Sequence, residues 1–397
     1  MEIKYFKLNE FKKNIKSLKK SINFKKNLIE NWNKITSTKF TRFFTITSII
    51  QCITIVIFQS FIFSQNLNLY SDWEKNNATY YSRANHSDNC KDLDLPKFPY
   101  LTLDNIIFIV FQVFQLYFCF NAVLTEHIVQ IITINVFNFG WSIYGFVQIY
   151  EVTTVSYELD DFANCIQPSD QTVHRSQDHK ILLILDVLCT VFVFFFSITV
   201  AYLSFKLYDQ FGWSIYKKFG GDPKMQVIHK NYLAFLMLLK INLFATVLFL
   251  LASILISRMD RFTAIIPASE LIFHYLATAL VLILEIVGYK LVEKEYKTGM
   301  IVFLVLWLAV IADFILVFVV LIYVFKLIGS VWIFGSVLVI VLILNSILLS
   351  IFGIKVLKNF GKGLKDLLGD KKPGPSEVPL NQLWNLDYEP NRMVIDT

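Results

Sequence analysis

The sequence predicts an all-α fold: a polytopic membrane helix bundle of about eight transmembrane helices with both termini cytosolic. Three observations carry this. The 397-residue chain is 55% hydrophobic and only 17% charged, with a mean hydropathy of +0.53, more apolar surface than one water-soluble core can hide. Eight separate apolar runs are long enough to span a hydrocarbon layer of about 30 Å, which takes roughly 20 residues of helix. Lys and Arg are sorted to alternate sides of those runs, as expected when basic loops stay cytosolic.

Residues 1–42 carry twelve Lys and Arg and form a basic cytosolic arm. Leu8, Phe11, Ile15, Leu18 and Ile22 recur at three-four spacing among lysines. That pattern predicts an amphipathic helix over 3–32, lying on anionic lipids of the cytosolic leaflet. A solvated basic arm that only sets topology is the other reading. The first apolar run comes after this arm, so the first span is expected to serve as its own signal anchor.

The transmembrane bundle occupies 43–355, with spans near 43–64, 104–124, 128–150, 181–205, 233–256, 263–287, 299–325 and 330–354. Only Thr125, Glu126 and His127 separate the second and third spans. One continuous apolar helix there would overshoot the bilayer, so a tight hairpin is expected. The segments assigned to the cytosol (1–42, 206–230, 288–298 and 355–397) hold twenty-seven of the thirty-seven Lys and Arg, and the alternate loops hold nine. Within 206–230, Phe211, Trp213 and Tyr216 beside Lys217 and Lys218 suit the lipid interface, and Gly220-Gly221-Asp222-Pro223 turns the chain back. The tail, 356–397, breaks at Pro373, Pro375 and Pro379 and is expected to be largely disordered, with room for a short motif that meets a cytosolic protein partner.

The luminal loops agree with this sidedness. Asn77-Ala78-Thr79 and Asn85-His86-Ser87 are glycosylation sequons in the 65–103 loop. Cys90 and Cys165 are the two cysteines in loops, both on the side that permits disulfides. They either bond across the bundle mouth or remain two free thiols.

Three stretches carry a family resemblance: TRFFTITSIIQCITIVIFQ from Thr41 to Gln59, FNFGWSIYGFVQIYE from Phe137 to Glu151, and YKKFGGDPKMQVIHKNYLAFLMLLKINLF from Tyr216 to Phe244. Together they resemble an uncharacterised family of fungal multispanning Golgi apparatus membrane proteins. The likeness runs from the first span to the last. It implies an address in the Golgi or related endomembranes and no particular chemistry. The chain departs from the family's expected pattern after Lys240, where Ile241 and Asn242 stand in place of an acidic residue.

Function is expected where ionisable groups enter the membrane, since each is costly there without a partner or a wet cavity. Asp313 lies near the middle of the seventh span. Glu270 and His274 are four apart, hence on one face of the sixth. These three could line a polar cavity that relays protons or binds a cation, joined by Gln112, Gln115, Asn135, Asn138 and Asn345. Alternatively they only satisfy one another across helices, each such bond contributing about 0.6 kcal/mol. Lys240 and Glu285 fall at comparable depth in adjacent spans, so an ion pair is expected there, or snorkelling of Lys240 to the interface. Asp186, about five residues into the fourth span, reads as a headgroup-level residue.

Two functions stand nearly level: proton-coupled transport of an ion or small solute through the polar cavity, and a non-enzymatic trafficking adaptor or receptor-like sensor acting through the cytosolic arms. An enzyme is not expected. The six His residues are scattered with no ligand spacing, and no nucleophile stands beside a base. No cofactor, metal site or nucleic-acid partner is indicated. His174 and His179 share a loop that reads as solvated.

Overall fold

A computed structural model describes residues 29–84, 98–166, 172–219, 223–256, 268–328 and 333–362. They form eight helices in chain order: α1 Lys39–Ala84, α2 Phe98–Thr125, α3 Ile128–Ile166, α4 Thr172–Phe219, α5 Pro223–Ile256, α6 Ala268–Glu293, α7 Lys297–Ile328 and α8 Ile333–Asn359. A short helical stretch over 29–35 precedes α1. The all-helical polytopic bundle expected from the apolar runs is therefore present. Residues 1–28 of the basic arm and the tail from 363 lie outside the described residues.

Seven of the eight helices are long and apolar enough to cross a membrane. The other is α3, whose apolar run is diluted by Gln130, Asn135, Asn138 and Gln148. Hydrogen bonds between helices fix its direction. Gln51 of α1 donates to Asn138 (2.6 Å) and Gln59 to Gln148 (3.5 Å), so α1 and α3 ascend together. Gln115 of α2 donates to Asn138 (2.7 Å), whereas Gln148 donates to Asn105 (3.0 Å), so α2 and α3 run opposite ways. Through these bonds α3 occupies the same slab as its spanning neighbours. It is polar because the face carrying Asn138 and Gln148 is turned inward, away from lipid.

Several helices outrun their predicted spans. The 46-residue α1 would be about 69 Å long at 1.5 Å per residue, against a hydrocarbon layer of about 30 Å. Much of the 65–103 and 151–180 segments, expected as loops, is helix that continues past the apolar runs, as is 206–219 on the opposite side. Once a helix is nucleated in the membrane, each further residue adds a backbone hydrogen bond, so helix persists into polar sequence. Gly220 to Asp222 fall between α4 and α5, and Pro223 opens α5, where its missing N–H and fixed φ cost nothing.

The two tight hairpins share one device. Glu126 (φ 53°) and Glu295 (φ 51°) take the left-handed conformation. Just beyond them, His127 N–H donates to Ala122 O and Tyr296 N–H to Leu291 O, both at 3.1 Å. This six-to-one bond closes the end of a helix by satisfying a carbonyl of its last turn. A glutamate stands where glycine is the low-strain choice, so the hairpin was recognisable from its brevity but not from a glycine.

The helices form two groups of four, α1–α4 and α5–α8, with α5 also touching α2, α3 and α4. Phe114 of α2 stacks on Phe244 of α5 with centroids 3.6 Å apart, and Thr133 of α3 reaches the Met237 sulfur. Phe273, Leu276, Leu280, Val305, Leu308 and Leu316 on α6 and α7 are exposed, as an acyl-chain environment allows and water would penalise.

Candidate functional site

The first half of the bundle is polar inside. On α2, Asp104, Asn105, Gln112 and Gln115 are each at most 3% exposed, and their spacing places them along one face. From α3, Tyr144 and Gln148 enter the same region. Gln148 joins Asn105 to Gln59, and Gln59 Nε2 also donates to Cys189 Sγ (3.5 Å). Tyr144 interacts electrostatically with Asp104, Glu151 and Asp186. Glu151 in turn accepts the Ile333 N–H at the start of α8 through Oε1 (3.3 Å), which suits a carboxylate at a helix N-terminus. Three carboxylates from three helices thus surround one phenol.

Asp186 is the exceptional member. It is 2% exposed, and among the described residues neither carboxylate oxygen has a hydrogen-bond donor. Asp186 is enclosed by the bundle about five residues into the fourth span, and Thr190 one turn later is buried with it.

Deeper along the same half, Asn138 Oδ1 accepts from both Gln51 and Gln115. Its backbone carbonyl accepts from Ser142 and Ser197, whose hydroxyls are 2.7 Å apart. Gly145 lets α3 and α4 meet here, since a Cβ on it would stand 2.8 Å from the Thr190 side chain.

In the second half the hub is Asn242, which is fully buried. Its Nδ2 donates to Glu285 Oε1 (2.6 Å), and its Oδ1 accepts from Asn345 Nδ2 (2.9 Å) and Ser346 Oγ (3.2 Å). Thr246 donates a second bond to Glu285 (3.3 Å). Trp307 Nε1 donates to the Ser346 carbonyl (3.3 Å), tying in α7.

The expected Lys240–Glu285 ion pair is not formed. Lys240 and Asn242 are two residues apart on α5, about 200° around the helix. Glu285 of α6 packs on the Asn242 and Thr246 face, so Lys240 points elsewhere, into a small cavity beside His127 and Gln130.

Of the expected polar cavity, the structure brings together Asp313 and His274, which interact electrostatically across α7 and α6. The His274 ring stands edge-on to Phe249, centroids 5.4 Å apart. The side chain of Glu270 lies outside the described residues, as do those of Asn77, Asn85, Cys90, Cys165, His174 and His179. Gln112, Gln115, Asn138 and Asn345 are buried as expected, but Asn345 joins the Asn242 hub and the others the first half. Asp104, Tyr144 and Asp186 were missed because two of them sit near span ends and the third is aromatic. The available signal was the pairing of Asp104 with Asn105, Gln112 and Gln115 on one helical face. Among the described residues, no three His, Cys, Asp or Glu side chains are grouped to hold a metal ion.

No family model and no solved structure matches. The chain is similar to a UPF0658 Golgi apparatus membrane protein of Schizosaccharomyces pombe, 24% identical over 221 residues. The match covers 53% of this chain and 57% of that relative, a little over half of each. The relative carries in its name the Golgi membrane address that the sequence resemblance implied.

Proposed function

For a multispanning membrane protein of the Golgi type, we propose proton-coupled transport of an ion or small solute, with Asp186 as the group that takes up and releases the proton. The single observation that carries this is the Asp186 carboxylate, buried inside a spanning helix with neither oxygen given a donor among the described residues. A charged carboxylate within a membrane costs about 2.5–3.5 kcal/mol on insertion scales and far more in isolation. A proton or a cation relieves that cost, and exchanging one for the other is the elementary step of coupled transport.

Glu285 supplies the contrast. It is equally buried, yet it accepts from Asn242 and Thr246, so it has the character of a structural acid held in place. Tyr144 feels Asp186 together with Asp104 and Glu151, and its hydroxyl is the group able to pass a proton among these acids. Asp313 with His274 is a second acid–base pair, in the other half.

The test is proton flux. The purified full chain is reconstituted into liposomes holding a pH-sensitive dye, with Na+, K+, Ca2+ or Mn2+ supplied in turn on the opposite side. Cation-dependent proton movement is expected from the wild type and from Glu285→Gln, and none above protein-free vesicles from Asp186→Asn. Equal flux through Asp186→Asn and wild type would falsify the assignment.

A further inference from the structure

A cavity of about 30 Å³ opens between the α2–α3 hairpin and α5, on the side where the lysines concentrate. It is lined by His127, Val129, Gln130, Leu236, Met237 and Lys240, with Leu233 at its back. That volume admits about two waters, or the oxygens of one small group entering from the open side. Its polar chemistry is dominated by donors. Lys240 is half-buried, and among the described residues no neighbouring charge acts on it, Glu285 being engaged on the far face of α5. Gln130 is 3% exposed; its Oε1 accepts from Asn121 at 3.1 Å, while its Nε2 is buried without an acceptor among the described residues.

The backbone adds to this. The first bonds at the N-terminal end of α3 run from Gln130 N–H and Ile131 N–H to the His127 carbonyl. The amides of Ile128 and Val129 come before them, where a helix has no acceptors of its own and its dipole favours an anion. Lys34 also reaches this hairpin, donating to the Leu124 carbonyl at 3.2 Å. An ammonium, an unsatisfied amide donor and a helix N-terminus facing one cavity make an anion site, and the apolar lining by Leu236, Met237 and Val129 suits a headgroup whose tail remains in lipid.

We propose that this cavity binds a single phosphate group, held by the Lys240 ammonium, the Gln130 Nε2 amide and the first-turn amides of α3. The phosphate is that of an anionic phospholipid or a soluble phosphate, and the two sources share the same three contacts. This site is separate from the one around Asp186, and its occupancy does not depend on whether protons move.

The experiment is native mass spectrometry of the full chain in detergent, titrated with phosphatidic acid, with phosphatidylcholine, or with inorganic phosphate. Thermal unfolding runs in parallel to confirm that each variant is folded. One phosphatidic acid is expected to bind the wild type in preference to phosphatidylcholine, about tenfold more weakly in Lys240→Met, and nearly unchanged in Lys240→Arg, the size expected for one charge-assisted bond. Gln130→Met gives an independent reading if Lys240→Met does not fold, with a smaller loss of the same sign. Stabilisation by inorganic phosphate that competes with the lipid identifies a soluble source, and binding of phosphatidic acid alone identifies a lipid. Both support the site. Binding of neither, or phosphatidic acid binding equal in wild type, Lys240→Met and Gln130→Met, overturns it.

Discussion

Replacing Asn242 by Leu removes the hub of the second helix group while keeping side-chain volume nearly constant. Three hydrogen bonds vanish together: to Glu285 at 2.6 Å, from Asn345 at 2.9 Å and from Ser346 at 3.2 Å. Interhelical bonds in membranes average about 0.6 kcal/mol and reach about 1.7, so three typical ones amount to about 2 kcal/mol. The bond to Glu285 should lie at the upper end, since its loss leaves a buried carboxyl with only the longer Thr246 contact, and bonds to charged groups contribute about 1.5–3 kcal/mol. Asn345 keeps its bond to the Leu238 carbonyl (3.1 Å), which limits the damage. The expected destabilisation is therefore about 2–4 kcal/mol, against about 1 kcal/mol for Asn345→Leu, which breaks two bonds in neutral company. The two variants share a bond, so the double mutant should fall short of their sum by about 0.6 kcal/mol. Reversible unfolding in mixed micelles, followed by intrinsic tryptophan fluorescence, measures all three. A cost for Asn242→Leu below about 0.5 kcal/mol, or a strictly additive double mutant, would show that these bonds are replaced as readily in the unfolded membrane state.

Two other outcomes are expected. Gly145→Ala should destabilise the α3–α4 contact by about 1–3 kcal/mol through overpacking, because its Cβ would lie 2.8 Å from Thr190 Cγ2 and Oγ1. Adding Thr190→Ala should recover part of this, and thermal unfolding of both proteins decides it. A cysteine at Glu126, exposed at the α2–α3 hairpin, should be alkylated by a membrane-impermeant maleimide from the cytosolic face of sealed Golgi vesicles. Labelling only after the vesicles are opened would invert the assigned topology or remove α3 from the set of spans.

The apolar runs, their number and their sidedness are properties of composition along the chain, and each can be read without a partner in view. The position of the α2–α3 hairpin was legible for a similar reason: three residues between two long apolar runs leave no other path. Burial of Gln112, Gln115, Asn138 and Asn345 also followed from sequence, because a polar residue within a span must turn from lipid. Their partners did not follow. Glu285 was matched to Lys240 by depth, yet the rotation of α5 presented Asn242 and Thr246 instead. Asp186 was read only from its place in the fourth span, and its enclosure by neighbouring helices was not legible there.

The sequence by itself determined that this is a helical protein of the membrane with several spans, since transfer of each apolar segment into lipid is a local quantity. Tertiary structure alone decided that Asp104, Tyr144, Glu151 and Asp186 share one interior, that Asn242 and not Lys240 meets Glu285, and that Lys240 faces a cavity with Gln130. Those outcomes depend on the rotation of each helix about its own axis, which packing against several neighbours sets at once and no single segment specifies.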